Sequence, residues 1–331
     1  MTATWAQVGP PPPYDPECGV IFSAPPPFPP LTFDTIPAMR SAAAAFMPRP
    51  TNEDLARGGR FTVEEVTVPG APGAPDVGLI VCRPTSSEGP VPALYYVHGG
   101  GMIIGSARDG LGEILDLAEP LDAAVVSVEY RLAPETPHPG PVEDCYAGLV
   151  WTAQHADELG VDGDRIVLIG GSAGGGIAAA VALLARDRHG PAPAGQLLMC
   201  PMLDDRNDSP SVHQMAEGPM WSRSDNEIGW TALLGDARGG PDVSPYAAPA
   251  RADDLSGLPP AFIDIGSADT FRDEDVAYAT RIWQAGGIAE LHVWPGGYHG
   301  FDGNVPHAAL SKAAVAARAN WLARLVGDAG S

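Results

Sequence analysis

Positive charge is scarce in this sequence. Lys312 is its single lysine, and 19 lysines and arginines stand against 41 aspartates and glutamates, which gives a formal net charge of −22 over 331 residues. A surface this acidic repels the phosphate backbone of nucleic acids. We therefore expect no nucleic-acid partner and interpret the negative charge as a solvated surface that aids solubility.

Cysteines and long apolar runs are scarce as well. Four cysteines lie far apart and form no C-x-x-C pair, namely Cys18, Cys82, Cys145 and Cys200. This spacing predicts neither a disulfide framework nor a metal site, and it favours free thiols in a reducing compartment. No apolar run is long enough to span a bilayer, and the N-terminus lacks the pattern of a signal peptide. We expect a cytoplasmic protein without a membrane anchor, metal or cofactor.

Proline is abundant in residues 1–60, with clusters at 10–13, 25–27 and 29–30. These prolines exclude long helices and central strands there. Apolar and aromatic residues nevertheless recur through the segment, more often than in a disordered tail. They are Trp5, Tyr14, Ile21, Phe22, Phe28, Leu31, Phe33 and Phe46. We expect much of the segment to pack on the body, with a helix over residues 35–47.

Strands and helices alternate over residues 61–331, which we interpret as the main domain. Strands are predicted at 61–68, 77–82, 92–97, 123–129, 165–169, 196–200, 261–265 and 288–294, and helices at 141–159, after Ser172, at 272–285 and at 307–326. This alternation predicts a doubly wound, mostly parallel eight-stranded sheet whose first two strands form an antiparallel pair. The periodicity weakens at about 204–250, where we expect an inserted helical segment or lid.

The stretch Gly170-Gly171-Ser172-Ala173-Gly174 lies between an apolar strand and an alanine-rich helix. It matches the G-x-S-x-G nucleophile elbow, a tight turn that exposes a serine hydroxyl at the end of a sheet. A glycine-rich turn with a purely structural role would have the same sequence pattern. The elbow interpretation makes Ser172 the candidate nucleophile.

A serine hydroxyl needs an adjacent base, and the base needs an acid that orients it. His299 follows the last predicted strand within a glycine-rich loop, which makes it the candidate base. The acid should follow the strand at 261–265. Asp269 stands just beyond that strand and is preferred over Asp273, which falls in the first turn of a helix where carboxylates favour the dipole.

The tetrahedral intermediate of such chemistry also needs backbone donors for its oxyanion. The run His98-Gly99-Gly100-Gly101 follows the third predicted strand, and only glycine lets backbone N–H groups approach so closely. We expect the donors to be the N–H groups of Gly100, Gly101 and Ala173.

Six stretches together make this chain resemble the hormone-sensitive-lipase-like, or bacterial family IV, carboxylesterases of the α/β-hydrolase fold. They are HGGG at 98–101, YRLAPE at 130–135, VED at 142–144, GGSAGG at 170–175, DTFRDE at 269–274 and HGF at 299–301. The resemblance covers roughly residues 60–325. It implies the same triad and oxyanion hole, a cap built from the N-terminal segment and the insertion, and frequent dimers, so that a homodimer is a candidate assembly.

The chain departs from this family at three points. Gly171 replaces the aspartate that often precedes the serine, and Thr270-Phe271 replace the usual Pro-Leu after the acid. Gly171 removes a carboxylate near the elbow, which bears on substrate preference. The proline-rich leader is also longer than the family pattern.

We expect a serine carboxylesterase that hydrolyses short- to medium-chain esters, with Met102, Ile103, Met220 and Trp221 as candidate walls of the substrate pocket. The same triad could cleave lactones, amides or esters of bulky alcohols. A non-catalytic relative that only binds a small ligand is the alternative of another class. A dinucleotide site is disfavoured, because G-x-G-x-x-A at 174–179 begins inside the helix and Ala194 stands where the acidic residue should be.

Overall fold

An eight-stranded sheet forms the centre of the fold. The computed structural model describes residues 8–23, 30–46 and 49–327. Its strands are β1 (Phe61–Val68), β2 (Val77–Pro84), β3 (Val91–Val97), β4 (Ala124–Glu129), β5 (Val161–Gly171), β6 (Gly195–Met199), β7 (Ala261–Gly266) and β8 (Ala289–Trp294). Their spatial order is β1-β2-β4-β3-β5-β6-β7-β8. β2 is antiparallel to β1 and β4, and the other pairs are parallel. The predicted α/β fold is confirmed.

Helices cover both faces of this sheet. They are α1 (Ile36–Phe46), α2 (Asn52–Ala56), α3 (Leu111–Ala118), α4 (Gly140–Gln154), α5 (Ala156–Leu159), α6 (Ala173–Asp187), α7 (Pro210–Gln214), α8 (Arg223–Leu234), α9 (Arg272–Gln284), α10 (Phe301–Asn304) and α11 (Ala309–Val326). Because side chains alternate along a strand, neighbouring residues of β3 enter different cores. Tyr95 belongs to the core cluster that includes residues of α4, α6 and α9, whereas Leu94 belongs to the cluster that includes residues of α3 and α11. The central strands β3 and β7 are therefore buried along their whole length, as their continuous apolar runs indicate, whereas the edge strand β8 is only partly buried.

Some predicted helix boundaries are wrong. The helix expected over 141–159 is interrupted at His155, whose φ of −109° and ψ of 21° are not helical. The last helix begins at Ala309 and not at His307, because Ala308 is extended. Helix α3 was not predicted, although Leu111, Ile114, Leu115 and Ala118 have helical apolar spacing and are buried.

Two stretches of chain, described here as the covering segments, lie against the loops at the carboxyl ends of the strands. The first is the described part of residues 8–46, and the second is 204–250. In the first, Tyr14, Ile21 and Phe22 pack on the cluster around Tyr298, and α1 forms where a helix was expected. Phe33 is 46% exposed, contrary to expectation. Trp5, Phe28 and Met47 lie outside the described residues, as does the side chain of Phe46.

The second covering segment carries α7 and α8 and is attached by hydrogen bonds to the loop after β7 and to the first turn of α9. The backbone N–H of Ser211 donates to Asp273 Oδ2 at 2.7 Å, and the Thr270 hydroxyl donates to the carbonyl of Trp221 at 2.5 Å. In the part of the chain that the structure describes, no helix has the length and apolar character needed to cross a membrane.

Candidate active site

Ser172 occupies the sharp turn between β5 and α6. Its φ of 56° and ψ of −125° are strained for a residue with a side chain, and its N–H donates to the carbonyl of Met199 at 2.8 Å. The neighbouring backbone is packed so closely that a Cβ on Gly174 would lie 2.1 Å from the carbonyl oxygen of Val97. The turn therefore requires glycine at that position and fixes the serine at the end of the sheet.

The structure brings the three predicted catalytic side chains together. The His299 ring lies between the other two, with Nε2 2.9 Å from Ser172 Oγ and Nδ1 2.9 Å from Asp269 Oδ2. Asp269 is fully buried, and its Oδ1 accepts the backbone N–H of Phe271 at 2.9 Å. This arrangement orients the imidazole so that Nε2 can accept the serine proton.

The surroundings of His299 perturb its acidity. Burial has the largest single influence and lowers the pKa of His299, because the charged ring is poorly solvated there. The carboxylate of Asp269 and the sulfur of Cys200 together outweigh burial, so that the pKa of His299 is raised well above its ordinary value of 6.5. The site therefore stabilises an imidazolium, the form that the ring takes after it has accepted a proton.

Backbone N–H groups are available beside Ser172. Gly100 and Gly101 have φ angles of 110° and 61°, in the region that favours glycine. Their loop lies close to the turn that carries Ser172. A Cβ on Gly99 would be only 3.5 Å from Ser172 Cβ. Within residues 8–23, 30–46 and 49–327, no hydrogen bond uses the N–H of Gly100, Gly101 or Ala173. These donors remain free for a ligand.

Two further motifs hold the loop of Gly100 in place. The Tyr130 hydroxyl donates to the carbonyl of His98 at 2.8 Å, and the two rings stack at 4.1 Å. Burial lowers the pKa of His98 to about 4, so its ring stays neutral. The backbone N–H and the guanidinium of Arg131 donate three hydrogen bonds to the buried Asp144, which joins YRLAPE to VED. These residues support the site without lying beside Ser172.

The four expected pocket residues divide into two pairs. Met220 and Trp221 line a small cavity next to His299, and the Trp221 ring is 6.3 Å from the His299 ring. Met102 and Ile103 directly follow Gly101 but are fully buried in the main core. Trp221 also approaches the glycine loop, since a Cβ on Gly101 would lie 2.3 Å from its ring.

At the position of Gly171 there is room for a side chain. A Cβ there would make its closest contact at 3.7 Å, with Met199. Gly171 thus differs from Gly174, where the backbone leaves no space.

Sequence reasoning missed two residues near the triad. Cys200 follows β6 and places its sulfur near His299 and Asp269. β6 lies between β5, which leads to Ser172, and β7, which leads to Asp269. A prediction of the strand order would therefore have placed Cys200 beside the triad. Glu274 is buried and accepts the backbone N–H groups of Leu203 and Asp204 at 2.7 and 3.1 Å. It anchors the start of the second covering segment.

Comparison with known proteins identifies the family to which this chain belongs. The profile described as the alpha/beta hydrolase fold matches residues 94–303. The chain belongs to the hormone-sensitive-lipase-like carboxylesterases of this fold. This α/β-hydrolase is 36% identical over 306 residues to carboxylesterase NlhH of Mycobacterium tuberculosis, covering 89% of this chain and 91% of the relative. Esterase LipI of the same species is 38% identical over 71% of this chain and 74% of its own.

A solved structure agrees with the sequence relationship. The bacterial heroin esterase superposes on this α/β-hydrolase with a TM-score of 0.88 at 39% identity, covering 95% of this chain and 98% of that one. The family and the fold expected from the motifs are confirmed.

Proposed function

We propose that this chain is a serine carboxylesterase that cleaves esters of short to medium acyl chains. Ser172 is the nucleophile, His299 the general base and Asp269 the acid that orients the ring. The observation that carries this assignment is the pair of 2.9 Å contacts that joins the three side chains through opposite nitrogens of His299. An aligned nucleophile, base and orienting acid are what acyl transfer through a serine requires.

The reaction proceeds in two halves. His299 Nε2 takes the Ser172 proton as Oγ attacks the ester carbonyl, and the N–H groups of Gly100, Gly101 and Ala173 donate to the oxyanion. The imidazolium then gives its proton to the departing alcohol, which leaves an acyl group on Ser172. In the second half, His299 activates a water molecule that hydrolyses this acyl-enzyme and returns the serine hydroxyl.

The covering segments form the cap over this site in our proposal. Met220 and Trp221 lie on the second covering segment, and the narrow space between Trp221 and His299 favours a short acyl group. Met102 and Ile103 give the opposite wall its rigidity, because both are packed in the core beneath the glycine loop. Long acyl chains would have to displace Trp221.

A p-nitrophenyl ester series from acetyl to dodecanoyl tests the acyl preference, and a second series with one acyl group and alcohols of increasing bulk tests the leaving group separately. We expect kcat/KM to be highest for short acyl chains and Ser172→Ala to lose about 10⁶-fold in kcat. A fluorophosphonate probe should label Ser172, as read by mass spectrometry of the peptide.

The alternatives give different results in the same experiment. Turnover of lactones or amides in preference to every ester would change the substrate class and retain the triad. Binding of esters without turnover or probe labelling would indicate a ligand-binding relative and would contradict the proposal.

A further inference from the structure

A thiol lies beside the acid and base of the triad. The Cys200 sulfur, an oxygen of Asp269 and a ring nitrogen of His299 all lie within 4.8 Å of one another. The cause is the strand order, since Cys200 follows β6, between the strands that lead to Ser172 and Asp269. Cys200 is partly exposed, whereas the other three cysteines are buried.

The backbone holds Cys200 firmly in this position. Its φ is 39°, in the left-handed region that a residue with a side chain rarely adopts. Its N–H donates to the carbonyl of Asp264 at 2.7 Å, and the flanking residues Met199 and Met202 exchange backbone hydrogen bonds with Ser172. The sulfur is therefore presented to the triad by the same backbone that positions the nucleophile.

Thiolate, imidazole and carboxylate are the donor set that Zn²⁺ and Cd²⁺ prefer. Zinc bonds of about 2.3 Å to sulfur and about 2.0–2.2 Å to nitrogen and oxygen place neighbouring ligands of a tetrahedral site roughly 3–4 Å apart. The observed separations of up to 4.8 Å require the three side chains to close by about 1 Å.

A buried acidic residue without a hydrogen-bond partner in the described part of the chain lies close to these residues. Asp275 is fully buried, and among the described residues neither of its carboxyl oxygens has a hydrogen-bond partner. It lies close enough to Asp269 and Cys200 for both to raise its pKa, although burial is the larger cause. Glu274, also buried, adds to the same acidic surroundings. The neighbouring cation Arg318 is already paired with Asp264 and Asp302.

We propose that Cys200, Asp269 and His299 form an inhibitory binding site for a thiophilic divalent cation such as Zn²⁺ or Cd²⁺. The cation binds the Cys200 thiolate, a ring nitrogen of His299 and a carboxylate oxygen of Asp269, and it displaces the thiol proton and the proton on that ring nitrogen to solvent. The ring nitrogen and the carboxylate oxygen that it occupies are then withdrawn from catalysis. Inhibition of turnover follows from the role of His299 in the proposed function, whereas binding does not depend on that role.

Binding is tested directly by the ultraviolet absorbance of the cadmium–thiolate bond. Cd²⁺ alone is titrated into the wild-type enzyme, Cys200→Ala, Cys200→Ser, the control Cys18→Ala and Ser172→Ala. We expect the band in the wild type, Cys18→Ala and Ser172→Ala, and its loss in both Cys200 variants. Ser172→Ala keeps all three ligands but not the nucleophile, so its band separates failure of this inference from failure of the proposed function. A band that persists without Cys200, or its absence from the wild type, would overturn the site.

Inhibition is then measured with p-nitrophenyl acetate at increasing Zn²⁺, each variant being compared with its own metal-free rate. Wild type and Cys18→Ala should lose activity and regain it with EDTA, and Cys200→Ala should need about 10- to 100-fold more metal. If the alanine variant folds poorly, Cys200→Ser replaces it in this measurement. If a folded Cys200 variant were inhibited at the same Zn²⁺ concentration as the wild type, the proposal would be wrong.

Discussion

The two layers that meet at Ser172 are held in different ways. In the strand-end loops below it, main-chain atoms fix the geometry, as where Gly174 lies against the carbonyl of Val97. In the covering segments above it, side chains make much of the attachment, as where Arg40 of α1 bonds Glu135 across 95 residues, beside backbone bonds such as that from Asp15 to Gly296. We therefore expect the lower layer to tolerate little change of backbone volume and the upper layer to tolerate more.

The largest expected effect tests whether the acid belongs to the lower layer. Asp269→Asn should lower kcat by about 10⁴-fold, because an amide cannot hold the ring tautomer or stabilise the imidazolium. Asp273→Asn should change kcat by less than about tenfold, because Asp273 attaches the covering segment through the N–H of Ser211 and does not contact His299. Steady-state kinetics with p-nitrophenyl acetate measure both. If Asp269→Asn left kcat unchanged and Asp273→Asn lowered it strongly, Asp273 would be the catalytic acid instead of Asp269.

A matched glycine pair tests the backbone packing of the lower layer. A methyl group on Gly174 would meet the carbonyl oxygens of Val97 and His98 at 2.1 and 2.5 Å, whereas one on Gly171 meets nothing closer than 3.7 Å. Gly174→Ala should therefore lose about 1–3 kcal/mol of unfolding free energy. Gly171→Ala should leave it within about 1 kcal/mol of the wild-type value. Urea unfolding gives both values, and equal losses would show that strand-end packing is not what distinguishes these positions.

The contrast between the layers also explains what could be predicted. Ser172, Asp269 and His299 were predicted because each follows a predicted strand, and local sequence carries that signal. Cys200 was missed because its place beside them depends on β6 lying between β5 and β7, which only the assembled sheet reveals. The break at His155 was missed since the apolar spacing continues through it.

The covering segments show the same limit more strongly. The aromatic residues Tyr14 and Phe22 indicated that the leader packs on the body, but nothing local says that they surround Tyr298. The backbone N–H of Asp15 likewise donates to the carbonyl of Gly296, which lies 281 residues further along the chain. Such contacts depend on the full fold, so the sequence predicted a cap but not its shape.

The dependence of rate on pH tests the electrostatics of the lower layer. Only neutral His299 can take the Ser172 proton, and the pKa of His299 is raised above 6.5 by Asp269 and Cys200 in spite of burial. As the pH falls through that raised pKa, kcat/KM should decrease about tenfold per unit. Assays with EDTA present should give an acid limb centred above pH 6.5. In Asp269→Asn the limb should shift downward, and an unchanged midpoint would contradict the proposed coupling.

The smallest expected effect comes from the contact between the layers. Arg40 Nε donates to the carbonyl of Ile103 at 2.7 Å, and Nη2 donates to that of Ala133 at 2.8 Å. The Ile103 N–H in turn bonds the carbonyl of Gly100. Loss of one oxyanion donor costs about 10²–10³ in kcat, and Arg40 acts one step away from the donors, so Arg40→Gln should lower kcat by only about threefold to tenfold.

Arg49→Gln is the matched control, since Arg49 bonds Asp109 and not the glycine loop. It should leave kcat and KM near their wild-type values. A rise in KM alone for Arg40→Gln would mean that α1 shapes the substrate pocket, whereas a fall in kcat means that it aligns the donors of Gly100 and Gly101. The split between kcat and KM thus decides whether the first covering segment only encloses the substrate or also supports the oxyanion hole.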